Sequence, residues 1–174
     1  MKNFYLPLLF LLLGSPLLLI AQQDSNINFD LMQADSMQNS DFSFWLGHWE
    51  VRVTGKDQIA GYSRIEGMLN GQAFRESYTT AAGYQGTSYN TYNAAQNRWE
   101  QYYVDNQGTV LHLKGNLQDG SMILSDCATG GSPCNRISWT PQPDGTVRQV
   151  WEQTKDGGGN WTVLFDGTYF RPEK

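Results

Sequence analysis

From Asp41 onward the chain alternates between positions that suit a core and positions that suit water, in short runs separated by turn residues. In the first run, Phe44 to Val53, a period-two reading sets Trp45, Gly47, Trp49, Val51 and Val53 on one face, with Phe44, Leu46, His48, Glu50 and Arg52 on the other. Further runs follow at Tyr62 to Leu69, Ala73 to Thr80, Tyr84 to Tyr92, Arg98 to Asp105 and Val110 to Leu117. The series continues with Ser121 to Ser125, Asn135 to Thr140, Thr146 to Thr154 and Trp161 to Arg171. Each is rich in aromatic and β-branched residues and bounded by turn chemistry, with Asn70-Gly71 reading as a two-residue hairpin.

Connections this short require antiparallel neighbours, because a parallel return needs a crossover of about a dozen residues. The expectation is an all-β, antiparallel up-and-down closed β-barrel of about ten strands, since closure removes the exposed edges that invite aggregation. A Greek-key sandwich is the alternative, but it needs a long return connection. Asp166-Gly167, inside the last strand, is the expected site of a bulge that helps the sheet curl.

If Trp49 faces inward, the neighbouring strands present their own alternation to the same space: Phe74, Glu76 and Tyr78, then Trp99, Gln101 and Tyr103. Ile137 and Trp139 follow, then Val147, Gln149 and Trp151. An aromatic interior with a few polar groups suits an amphipathic organic molecule. The candidate ligand-binding residues are therefore Glu76, Tyr78, Gln101, Tyr103, Trp139, Gln149 and Trp151. The alternative is a filled barrel, in which those polar groups satisfy the tips of buried Trp and Tyr side chains and the role is structural or partner-binding.

Residues 1–21 read as a secretory signal, with Lys2 followed by an apolar run from Leu6 to Ile20 and the small residue Ala21. An anchor is the competing reading, but Gly14-Ser15-Pro16 interrupts the run and polar sequence follows it. A periplasmic or secreted protein, with no stable membrane span after signal removal, is expected. Residues 22–40 form a polar segment in which Phe29 and Met32 at i, i+3 spacing suit one helical turn against a barrel end; a flexible linker is the alternative. Residues 41–174 form the barrel domain.

Charge and cysteines narrow the classes. The net charge of −5, or −6 without Lys2, is interspersed and carries no basic stripe, which argues against a nucleic-acid partner. The only cysteines, Cys127 and Cys134, flank a turn-rich loop between two strands, which in an exported chain reads as a disulfide.

Gly47-x-Trp49 at the start of a meander, with Arg171 ending the last strand, resembles the lipocalin and wider calycin pattern. The resemblance implies that Trp49 seals the barrel floor beneath a stacked Arg171. Stretches such as Gly61-Tyr62-Ser63-Arg64-Ile65, Val147-Arg148-Gln149-Val150-Trp151-Glu152 and Phe165-Asp166-Gly167-Thr168-Tyr169 resemble a group of lipocalin-like bacterial proteins that often carry a signal peptide and have no settled activity. The likeness spans about Asp41 to Arg171. Two departures stand out: lipocalins proper have eight barrel strands and a C-terminal helix, and the helical lid of fatty-acid-binding proteins is not visible between the first two strands. Alternation puts Arg171 on one face with Val163, Phe165 and Tyr169, where an unpaired guanidinium would be costly.

No cofactor and no metal is expected. The alternative is a haem of the nitrobindin type on His112, but His112 alternates with Val110 and Lys114 and reads as outward-facing. His48 reads as outward too, and two histidines on separate strands do not make a zinc site. No Ser-His-Asp order, nucleophile elbow or HExxH is present, so an enzyme is the lesser expectation. It would use Glu76, with Tyr78 or Arg136, for acid-base chemistry of the isomerase or lyase type. The leading expectation is an exported protein that holds a small hydrophobic or amphipathic ligand inside its barrel.

Overall fold

The computed structural model describes residues 41–127 and 133–172. The expected signal segment and the polar stretch over 22–40 lie outside the described residues. A 3-10 turn at Ser43–Trp45 leads into ten strands: β1 Gly47–Val53, β2 Ile59–Met68, β3 Ala73–Thr79, β4 Gln85–Asn93, β5 Arg98–Asp105, β6 Val110–Gln118, β7 Ser121–Ser125, β8 Cys134–Pro141, β9 Val147–Thr154 and β10 Trp161–Phe170. Each strand pairs antiparallel with the next, and β10 returns to pair with β1 through Glu50 opposite Phe170 and Val51 opposite Tyr169. The protein is a closed up-and-down β-barrel, and closure leaves no sheet edge exposed. No helix among the described residues is long and apolar enough to cross a membrane.

The chain enters the barrel differently from the sequence expectation. Trp45 lies on the 3-10 turn, not in β1, and its ring is buried in the floor against Phe42 and Trp139. The floor is dense: Phe42 also packs edge-on to Trp99 and Phe74, while Phe74 and Trp99 stack at 5.5 Å. Below them the Arg171 guanidinium lies 3.6 Å over the Trp49 ring, and its Nη1 donates to the Leu46 carbonyl at 2.7 Å. Trp49 Nε1 donates to the Trp45 carbonyl at 2.8 Å.

Gly47 makes this arrangement possible in two ways. Its φ of +117° lies where side-chain-bearing residues are strained, and a Cβ there would overlap Arg171 Nη1.

Two turn expectations are corrected. Asn70-Gly71 is not a two-residue hairpin: Met68 and Ala73 are the last paired residues, so the loop runs from Leu69 to Gln72, with Leu69, Asn70 and Gly71 all at positive φ. The irregularity in β10 lies at Val163/Phe165, not at Asp166-Gly167. Gly167 pairs in register with Gln149 and Val53, and its missing side chain leaves space for the Phe165 ring. The extra residue, Leu164, breaks the alternation, so Val163 is exposed opposite Glu152 and does not share the inner face with Phe165 and Tyr169.

Cys127 and Cys134 form the disulfide, which closes the connection between β7 and β8 and belongs to an oxidising, non-cytoplasmic environment.

Candidate functional site

Antiparallel alternation puts the β1–β2, β3–β4, β5–β6, β7–β8 and β9–β10 connections at the end of the barrel away from Trp49 and Arg171. At that end the interior is not filled. A cavity of about 340 Å³ lies there, of the size that holds a small organic molecule.

Its walls come from seven of the ten strands and from the turn between β3 and β4. Tyr78, Tyr84 and Tyr103 form one side, and Trp151, Phe165 and Tyr169 another. Leu111, Ile137 and the bulged Leu164 add aliphatic surface, and Ala60 and Thr80 complete the rim. Apart from Thr80 and the tyrosine hydroxyls, the polar groups of the wall are Glu76, Gln101 and Gln149.

Two glycines make room for the tyrosines. A Cβ on Gly61 would stand 2.6 Å from the Tyr78 hydroxyl, and one on Gly86 would stand 2.5 Å from that of Tyr103, so both rings lie against bare backbone of a neighbouring strand.

Glu76 is 5% exposed and is held by residues on both neighbouring strands. Ser63 Oγ of β2 donates to its Oε1 at 3.0 Å, and Ser88 Oγ of β4 donates to its Oε2 at 3.1 Å. Burial pushes the carboxyl up to about 7, against the hydrogen bonds from Ser63 and Ser88, which favour its ionised form.

The network extends along the wall. Asn90 Nδ2 donates to Ser88 Oγ at 3.0 Å, and Gln101 Nε2 donates to Asn90 Oδ1 at 2.9 Å. Gln101 Oε1 is buried and has no partner among the described residues. Across the barrel the Tyr169 hydroxyl donates to Gln149 Oε1.

The four phenols of the wall, Tyr78, Tyr84, Tyr103 and Tyr169, are held in their neutral form. Burial, with the nearby Glu76 charge, pushes Tyr78 up to about 12, and burial likewise raises Tyr84, Tyr103 and Tyr169. Tyr84 and Tyr103 hydrogen-bond through their hydroxyls, and Tyr84 also donates to Asp105 Oδ2 at 2.8 Å. Although burial pushes the Asp105 carboxyl up, hydrogen bonds from Thr109, Tyr84 and the Gln107 backbone more than offset it and hold it at about 2.

Of the seven candidate ligand-binding residues, Glu76, Tyr78, Gln101, Tyr103, Gln149 and Trp151 are brought together on the cavity wall. Trp139 is not among them: it is fully buried against Phe42 and Trp45 in the floor. Alternation sets a residue's face but not its height along the barrel, and Trp139, opposite Met122 of β7, sits too low. The wall residues missing from the sequence-derived set are the aromatic Tyr84, Phe165 and Tyr169, the aliphatic Leu111, Ile137 and Leu164, and Ala60 and Thr80 at the rim. Phe165 and Tyr169 carried a signal, since alternation in β10 already put them on the apolar face.

Two alternatives are corrected by position. His112 faces outward, stacked on Tyr102 at 4.0 Å with its Nε2 2.7 Å from Glu100 Oε2, so it does not reach the interior as a haem ligand would have to. Arg136 also faces outward, bonding Glu152 at 2.9 Å and stacking 4.0 Å over Trp161, and does not meet Glu76. The cluster of Asp126 with Cys127 and Cys134 offers no thiolate for a metal, because the two sulfurs are bonded to each other. No family model matches this chain, and neither does any curated protein.

Proposed function

We propose that this chain is an exported lipocalin-like protein that binds a small amphipathic molecule inside its barrel. The observation that carries the reading is the division of the interior into two halves: a floor packed solid with aromatic rings, and above it a cavity of about 340 Å³ whose walls are aromatic and whose polar groups are few and fixed. A barrel that served only as a structural module would gain by extending the floor's packing upward, since an unfilled interior forfeits contacts along its lining. The disulfide supports a periplasmic or secreted setting, and among the described residues the short connection between β1 and β2 carries no helical lid.

Native mass spectrometry of the protein taken directly from its producing cell tests this reading. A co-purifying organic mass, lost on mild denaturation, is the expected result. A bare protein mass, together with no thermal shift against a library of amphipathic small molecules, would overturn it.

One observation favours a second reading. A carboxyl held to about 7 beside a tyrosine hydroxyl is poised to give or take a proton near neutrality, which suits acid-base chemistry on a bound substrate. Under this reading Glu76→Gln removes turnover of a candidate substrate while leaving binding in place. Unchanged turnover rules Glu76 out as the catalytic group.

A further inference from the structure

We infer that the cavity's ligand carries a protonated amine that pairs with Glu76, while Gln101 Oε1 receives a second N–H or O–H of the same molecule. The inference rests on the reading of the barrel as a binding protein and adds the class of ligand.

The direction of the wall's hydrogen bonds leads to it. Gln101 donates to Asn90, Asn90 to Ser88, and Ser88 to Glu76, while Ser63 donates to Glu76 from the other side. Every donor in the chain is thus turned toward the carboxylate. Once Asn90 has its amide nitrogen on Ser88, its oxygen must receive Gln101 Nε2, and this leaves Gln101 Oε1 as an acceptor with nothing to accept. The polar face of the cavity asks for donors.

Charge points the same way. Among the described residues no Lys, Arg or His lines the cavity, so an ionised Glu76 has no countercharge within it. A buried carboxylate without one is costly, and a cationic ligand supplies it. The aromatic faces of Tyr78, Tyr84, Tyr103, Trp151, Phe165 and Tyr169 suit both the apolar body of such a ligand and its ammonium group. The titratable groups facing Glu76 are Tyr78 on its own strand, Tyr84 and Tyr103 from β4 and its turn and from β5, and Tyr169 from β10. Burial raises all four phenols, so Glu76 is the group that changes charge near neutrality. Asp105, ionised and bonded to Tyr84, adds negative potential next to the wall. Binding an ammonium to protonated Glu76 forms the ion pair and releases one proton to solvent.

Calorimetric titration of the whole protein with 2-phenylethylamine, 2-phenylethanol and 3-phenylpropionate, three probes of similar shape, reads this out. At pH 8 the amine should bind about tenfold or more tightly than the alcohol, and the carboxylate more weakly than either. Titrations at pH 6.5 in two buffers of different ionisation enthalpy should report net proton release with the amine and none with the alcohol. In Glu76→Gln the advantage of the amine should vanish and the alcohol's affinity should stay. Should that variant not fold, the order of the three affinities in the unaltered protein decides. Equal binding of amine and alcohol, or tighter binding of the carboxylate, overturns the inference while leaving the binding reading intact. If none of the three probes binds, the inference falls too, and the native mass spectrum then judges the wider reading separately.

Discussion

Gly47 and Glu76 are the two single residues on which most depends, and each makes a measurable prediction. Gly47→Ala meets both an unfavourable φ and the Arg171 guanidinium, so it should destabilise the fold by about 1–3 kcal/mol in urea unfolding. Arg171→Ala in the same chain should relieve the steric part, and a double-mutant cycle measures that coupling. Glu76 acts through pH. Its carboxyl titrates near 7 in the folded barrel against about 4.5 in an ordinary setting, so the folded state holds a proton that the unfolded chain has lost between those values. Stability is therefore undiminished by this group below about pH 4.5, falls as pH rises toward 7, and stays lowered above it, by roughly 3 kcal/mol in all. Glu76→Gln should flatten that part of the unfolding profile. An unchanged slope between pH 5 and 7 would show that Glu76 ionises normally.

At the scale of elements, the tyrosines depend on the strands beside them. Gly86→Ala puts a methyl group against the end of the Tyr103 ring, which can yield only into the cavity, so probe affinity should fall by about tenfold or more with little change in unfolding midpoint. The hairpin between β7 and β8 makes a different prediction. Replacing Cys127 and Cys134 together by Ser reopens a short loop and should cost roughly 2 kcal/mol in thermal unfolding, while the cavity, to which neither cysteine contributes a wall, keeps its affinity. The elements also explain what could be read from the sequence. Ten strands and most of their inner faces follow from period-two alternation and short turns, and the alternation fails where a strand carries an extra residue, at Ala60 near the start of β2 and again in β10. There Leu164 inserts one residue that no composition marks, and Val163 is turned outward as a result. Trp139 fails for another reason, because depth along the barrel depends on strand tilt and register across several neighbours. Tyr84 stands just before β4 in phase with the inward-facing Gly86, Ser88 and Asn90, a signal hidden because those partners are small or polar and do not read as an apolar face.

For the whole molecule, the division of labour between the two ends follows from the odd-even rule of an up-and-down barrel. The floor carries the buried tryptophans and the Arg171 stack, and the opposite end carries the cavity. Changes in the floor should therefore alter stability more than binding. Trp139→Ala, which empties a fully buried site, should cost about 3–5 kcal/mol, and the probe affinity of the molecules that remain folded should change little. The seam between β1 and β10 has a consequence in time. Its partners, such as Glu50 and Phe170, are adjacent in space yet come from opposite ends of the domain, so a chain emerging N-terminus first leaves the edge of β1 unpaired until its last strand arrives. Closure must wait for that strand, and a chain that lacks it can only form a sheet with two open edges, the condition in which strands pair with a neighbouring molecule.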